Sequence, residues 1–291
     1  MSFDLYFFRP AASVISDHAI NAYLDAKIPV PPEQEPEQDA WHYGNMHTGV
    51  YFSLYRNGPS GVVGEDYVGF ADTGISFSLN YMRPDFFGKE AFIFVQEMTA
   101  TLGLYIIDPQ GGVNYPVPAN STQLFAEWQR VNRAGCIEHF DASLITYIPP
   151  AVSDEIWAYN VTRPLLQQQL GNAYYVPQIM LFKQVATLEP VRLSAWLAPE
   201  ASLFPEVDYV IVRRRTTNWL GKVKEETGII AYGQLMLVLG DLLVRISGTD
   251  TRALLPQHAK DAAALMKRVQ LDTSFGERMV LANMMYLFNY K

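Results

Sequence analysis

Ile75-Ser76-Phe77-Ser78-Leu79-Asn80-Tyr81 alternates apolar and polar side chains at a period of two, the pattern of a strand with one face in a core and the other in water. Just beyond it Pro84 can open a helix, because its missing N–H is not needed in a first turn. Ala91, Phe92, Val95, Met98, Thr99 and Leu102 then recur at helical steps, and Leu104-Tyr105-Ile106-Ile107 reads as a short strand before Asp108-Pro109. Upstream, Val50, Phe52 and Leu54 alternate with Tyr51, Ser53 and Tyr55, which gives a second half-buried strand. At the front, Asp4-Leu5-Tyr6-Phe7-Phe8 has strand composition, and Ser16 stands where it can cap a helix carrying Ile20, Tyr23, Leu24 and Lys27.

The order over residues 1–108 is therefore β-α-β-β-α-β, which predicts a ferredoxin-like split βαβ domain with an antiparallel sheet and helices on one face. Residues 109–173 read as a linker and helical segment: Gly111, Gly112, Pro116 and Pro118 interrupt the chain, and a helix with Leu124, Phe125, Trp128 and Val131 is expected to stop at Gly135. Residues 174–291 read as a strand-rich α+β domain. Strands are expected at 177–182, 191–197 and 207–212, and Leu235 to Leu239 with Leu242 to Ile246 flank Gly240-Asp241 as a hairpin would. A helix over 256–269 precedes an apolar tail, 279–288, that fits strand or helix. The whole chain is thus placed in the α+β class.

Composition narrows the partners. Of 291 residues 49% are hydrophobic and 13% aromatic, enough to fill a sizeable core without metal or disulfide staples. A formal net charge of -8 repels phosphate backbones and anionic lipid, which argues against direct nucleic-acid or membrane binding. The one cysteine, Cys136, allows no intrachain disulfide and fits a reducing compartment. Met1 to Arg9 has no basic segment ahead of its apolar run, and Ile229 to Ile246 is broken by Gly233, Gln234, Gly240 and Asp241. A cytoplasmic location is expected.

Few groups carry chemistry. Cys136 and His139 would share a helical face, where an imidazole can lower a thiol pKa, with Glu138 and Asp141 beside them; the ordinary reading is a small core cysteine among surface polar residues. His42 and His47 lie in one glycine-containing stretch with Glu65, Asp66 and Asp72 downstream as oxygen ligands, but the spacing matches no established metal pattern. Gly58, Gly61 and Gly64 lack the spacing of a phosphate loop, and no nucleophile elbow occurs. No cofactor or metal is expected. Arg213-Arg214-Arg215, with Trp219, Lys222 and Lys224, is the one basic concentration, suited to an anion. On a strand, however, Arg213 and Arg215 would share a face opposite Arg214, and Glu225 and Glu226 would neutralise them across a turn.

Pro29 to Asp39 is proline-rich and extended, and projects Glu33, Glu35, Glu37 and Asp39, either as a solvated connection or as an acidic surface for a basic partner. The opening Met1-Ser2-Phe3-Asp4-Leu5-Tyr6-Phe7-Phe8 resembles the start of a loose group of uncharacterised bacterial proteins, some of which are similar to immunity proteins that neutralise a toxin from neighbouring bacteria. The resemblance covers that strand and brings no active site with it. Together with it, the absence of catalytic motifs, the acidic balance and the acidic stretch lead to the expectation of a non-catalytic binding protein that occludes the active site of a cognate toxin, a basic enzyme such as a nuclease, through Glu33, Glu35, Glu37 and Asp39. The alternative is an enzyme with a site assembled around Cys136 and His139 or His42 and His47. Ten Met and 17 Tyr also suit a self-assembling subunit.

Overall fold

The structure, a computed structural model, describes residues 1–30, 39–56, 67–111, 115–139, 144–217, 223–246 and 251–290. The chain divides into two compact units, residues 1–141 with 288–291, and residues 142–287. Both mix helix and strand. The stretch 109–173, expected as a linking segment, is shared between them.

The first unit runs β1 (Ser2–Pro10), α1 (Asp17–Lys27), β2 (Ala40–Gly44), β3 (Tyr51–Arg56), β4 (Phe70–Asn80), α2 (Asp85–Leu102), β5 (Tyr105–Ile107) and α3 (Ser121–His139). Its five strands lie in the order β2-β3-β4-β1-β5, with every neighbouring pair antiparallel. The period-two pattern puts Phe3, Leu5, Phe52, Leu54, Phe77 and Leu79 in the core. Phe92 of α2 meets Phe3 edge-on at 5.3 Å between ring centroids, so α2 lies on that face. Each fully buried phenyl ring contributes roughly 2–3 kcal/mol by removal from water.

Local signals explain the helix ends. The Ser16 hydroxyl accepts the Ala19 N–H at 3.2 Å at the start of α1. Gly103 (φ 64) lets the chain turn left-handed after α2, so that Leu104 N–H bonds back to Thr99. The helix of Trp128 does not stop at Gly135 as expected but continues to His139. One glycine costs a helix only about 1 kcal/mol, and the buried Cys136 beyond it repays continuation. α3 packs closely on α2 because Gly88 has no Cβ: one built there would stand 2.7 Å from the buried Trp128 ring. β2 was not expected. Its pairing is secured by Tyr43 stacked on Phe52 at 4.3 Å.

The second unit runs β6 (Thr146–Tyr147), α4 (Pro150–Leu170), β7 (Met180–Gln184), β8 (Pro190–Leu197), β9 (Ser202–Phe204), β10 (Tyr209–Thr217), β11 (Val223–Ala231), α5 (Tyr232–Leu239), β12 (Leu243–Arg245), β13 (Arg252–Leu254), α6 (Ala259–Met266), α7 (Phe275–Arg278) and β14 (Met279–Leu281), and β15 (Leu287–Phe288) follows. One sheet has the order β11-β10-β8-β7-β14, with β8 and β10 parallel; a smaller one has the order β12-β13-β9. Trp196, Phe204, Val210, Leu235, Leu254 and Met266 are central to its core. The hairpin expected at Gly240-Asp241 is absent from the described residues: 232–239 is helical. Leu235 and Leu239 are buried one turn apart while Leu237 faces out, a period that a short all-apolar run conceals. No helix among the described residues is long and apolar enough to cross a membrane.

Candidate functional site

Of the four carboxylates in the acidic stretch, Glu33, Glu35 and Glu37 lie outside the described residues, and Asp39 marks its end. Asp39 has φ 67, a conformation that Asp tolerates better than most residues, and its carbonyl accepts the Arg56 N–H at 2.8 Å. The base beneath it is built by α1 and the hairpin of β2 and β3. Trp41 is buried and its indole N–H needs an acceptor, which Asp25 of α1 supplies at 2.7 Å. The Arg56 guanidinium donates to Asn21 of α1 at 2.5 Å and to the Thr73 carbonyl of β4 at 3.2 Å. Both ends of the 29–39 stretch are thereby tied to rigid elements, with Ile28 closing α1 through its N–H to the Leu24 carbonyl.

The reactive groups have other surroundings than a nucleophile needs. The Cys136 thiol is buried and lies 3.9 Å from Asn132 Oδ1. Burial first, and then the negative charge of Asp85, push it up to about 12, which leaves a thiol rather than a thiolate near neutrality. The His139 side chain and Asp141 lie outside the described residues. His42 is exposed on β2, with Nδ1 2.9 Å from Ser53 Oγ and its ring edge-on to Tyr55. His47 bonds through its backbone to Asn45 Oδ1, and Asp72 accepts the Gly74 N–H. Glu65, Asp66 and the Gly58 to Gly64 run are outside the described residues. Among the described residues no three His, Cys, Asp or Glu side chains are grouped to hold a metal ion.

Two polar clusters of the first unit had no signal in the sequence. Glu90 of α2 accepts Tyr43 Oη, Asn45 Nδ2 and Thr48 Oγ1 on one carboxylate oxygen at 2.8, 2.8 and 3.2 Å, which ties the turn after β2 to the helix. Burial, and then the Glu90 charge, hold the Tyr43 hydroxyl well above the usual phenol range. The second cluster surrounds the start of α2. Asn132 of α3, fully buried, accepts the N–H groups of Met82 (2.5 Å) and Arg83 (3.2 Å) and donates to the Arg83 carbonyl at 2.8 Å. Arg83 donates through Nε to Tyr51 Oη at 2.8 Å, and the Asp85 carboxylate accepts from Gln129 and from the Tyr290 hydroxyl. Asn289 Oδ1 takes the Asp85 N–H at 2.7 Å, so a residue from the end of the chain caps α2 where Pro84 cannot.

In the second unit the arginine run lies as its strand phase requires. Arg213, Arg214 and Arg215 of β10 stand opposite Thr227, Glu226 and Glu225 of β11. Arg213 and Arg215 both reach Glu225, Arg215 at 3.5 Å, while Arg214 is buried and binds Glu226 at 2.8 Å and the Met266 carbonyl. Trp219 and Lys222 lie outside the described residues. Comparison of the chain with protein-family models, curated proteins and solved structures gives no match.

Proposed function

We propose that the chain is a non-catalytic, cytoplasmic binding protein of the immunity type, which neutralises a cognate toxin, a basic enzyme such as a nuclease, by covering its active site. The observation that carries this reading is the anchoring of the flanks of the acidic stretch: Trp41 bonds to Asp25 of α1, and the Asp39 carbonyl accepts the Arg56 N–H, so the elements on either side of Glu33, Glu35 and Glu37 are held together. A net charge of -8 adds long-range attraction to a basic cleft. In this reading the first unit is a ferredoxin-like split βαβ domain with β2 added at its edge. Strand order supports that: β4 sits between β1 and β3, which α1 and the added β2 connect, and β1 sits between β4 and β5, which α2 connects.

The test begins with capture of the partner from the native cytoplasm and measurement of whether its enzymatic activity falls on binding. Changing Glu33, Glu35 and Glu37 to Gln and Asp39 to Asn should then slow association by about tenfold or more and flatten its salt dependence, as loss of electrostatic steering does. An on-rate that does not move removes the acidic stretch from the interface. A second reading, an enzyme with its site around His42, is favoured by the 2.9 Å contact of His42 with Ser53. It requires an activity that His42→Ala abolishes.

A further inference from the structure

Beside the arginine run of the second unit is an open groove of about 520 Å³, within the size range of small-molecule sites. Four cations line it, Arg213, Arg214, Arg215 and Lys267, against two carboxylates, Glu200 and Glu225. The cations divide by burial. Arg214 is 8% exposed and is used up as a strut: its guanidinium joins Glu226 of β11 to the Met266 carbonyl at the end of α6. Arg213 and Arg215 are more than half exposed and share one carboxylate, Glu225, so the pair keeps a net positive charge. Lys267, just past α6, is exposed and forms no ion pair among the described residues. Leu197, Pro199 and Ala263 give the same groove apolar walls.

We infer that this groove binds a small organic phosphate, with Arg213, Arg215 and Lys267 on the phosphate and the organic body against Leu197 and Pro199. Two exposed guanidinium groups and an ammonium against two carboxylates, Glu200 and Glu225, leave the lining net positive, and their many N–H donors suit an anion with several acceptor oxygens, which a phosphate monoester supplies and a single carboxylate does not. The protein as a whole repels anions, so attraction must come from this local surplus. The site is independent of the acidic stretch and of any toxin.

Isothermal titration calorimetry of the full chain with phenyl phosphate, inorganic phosphate and phenol tests the assignment. Saturable binding is expected for phenyl phosphate, weaker binding for inorganic phosphate, and none for phenol. The Arg215→Gln, Lys267→Gln double variant should weaken phenyl phosphate by at least about tenfold, the loss expected when charge-assisted contacts go. Lys260→Gln, at an exposed lysine of α6 that does not line the groove, should change nothing. Absence of saturable phenyl phosphate binding overturns the proposal. So does equal binding of phenyl and inorganic phosphate, or equal weakening by Lys260→Gln. Thermal melting of each variant, unchanged for these surface positions, separates lost binding from lost fold.

Discussion

The cluster at the start of α2 in the first unit turns its polar groups inward, and the arginine run of the second unit leaves two of its three at the surface. Around the start of α2, Arg83, Asp85 and Asn132 are all buried, and their partners are the protein's own backbone and side chains. Along β10, Arg213 and Arg215 stand in water beside a shared Glu225. Burial of a charge costs several kcal/mol unless every lone pair and proton finds a partner, so an inward network must be complete and fixed. A surface network costs little and contributes little, and its members can exchange one anion for another. The inward cluster therefore positions chain segments, whereas the outward one leaves its groups accessible.

The largest effect is expected where the inward network is broken. Asn132→Ala orphans the N–H groups of Met82 and Arg83 and the Arg83 carbonyl together, each worth about 1–3 kcal/mol when left buried, and should destabilise the protein by about 4 kcal/mol. Urea denaturation measures it. A loss below about 1 kcal/mol would mean that water or another side chain replaces the amide, and the contrast between the units would fall with it.

Arg214 is the exception within the arginine run, and it sharpens the comparison. Its neighbours along the strand are exposed, yet its guanidinium is buried against Glu226 and a helix-end carbonyl. Arg214→Ala should cost about 2 kcal/mol, because Glu226 keeps some solvent once its partner is gone. Arg213→Ala should move the urea midpoint far less, since its pair with Glu225 is exposed. If the two variants proved equal, burial would not be what separates strut from surface charge.

What the sequence made legible is what neighbours in the chain decide. The alternation of residues 75–81, the cap at Ser16 and the opposite phases of Arg213 and Arg214 each follow from residues within one or two turns of each other. α5 was missed because a short apolar run fits either state until its buried neighbours are known, and β2 because Ala40-Trp41-His42-Tyr43-Gly44 buries only Trp41 and so shows no alternation. The helix-end support at Asp85 was beyond reach, since Asn289 lies 204 residues away and an isolated asparagine carries no mark of its partner. The phosphate groove was half legible. The arginine run was plain, but Lys267 and Pro199 join it only through folding.

The smallest effect concerns acid. In the first unit, burial of Asp108 raises its carboxyl above the ordinary 3.8, against the pull of N–H groups from Gln110 and Gly111. In the second, the hydrogen bond and then the charge of Arg213 hold the exposed Glu225 below its ordinary 4.5. The two then act oppositely as pH falls. Glu225 contributes stability above 4.5 and loses it as pH drops through its lowered folded value, whereas Asp108 opposes folding while ionised and is relieved as pH drops through its raised value. Carboxylate-carbon NMR titration of the labelled protein should find Asp108 above 3.8 and Glu225 below 4.5, and Arg213→Gln should move Glu225 up while Asp108 stays in place. A Glu225 that does not respond to Arg213→Gln would show that the surface pair is not formed in solution. Glu225 would then be left to Arg215 alone, and the surplus of positive charge in the groove would have to be counted afresh.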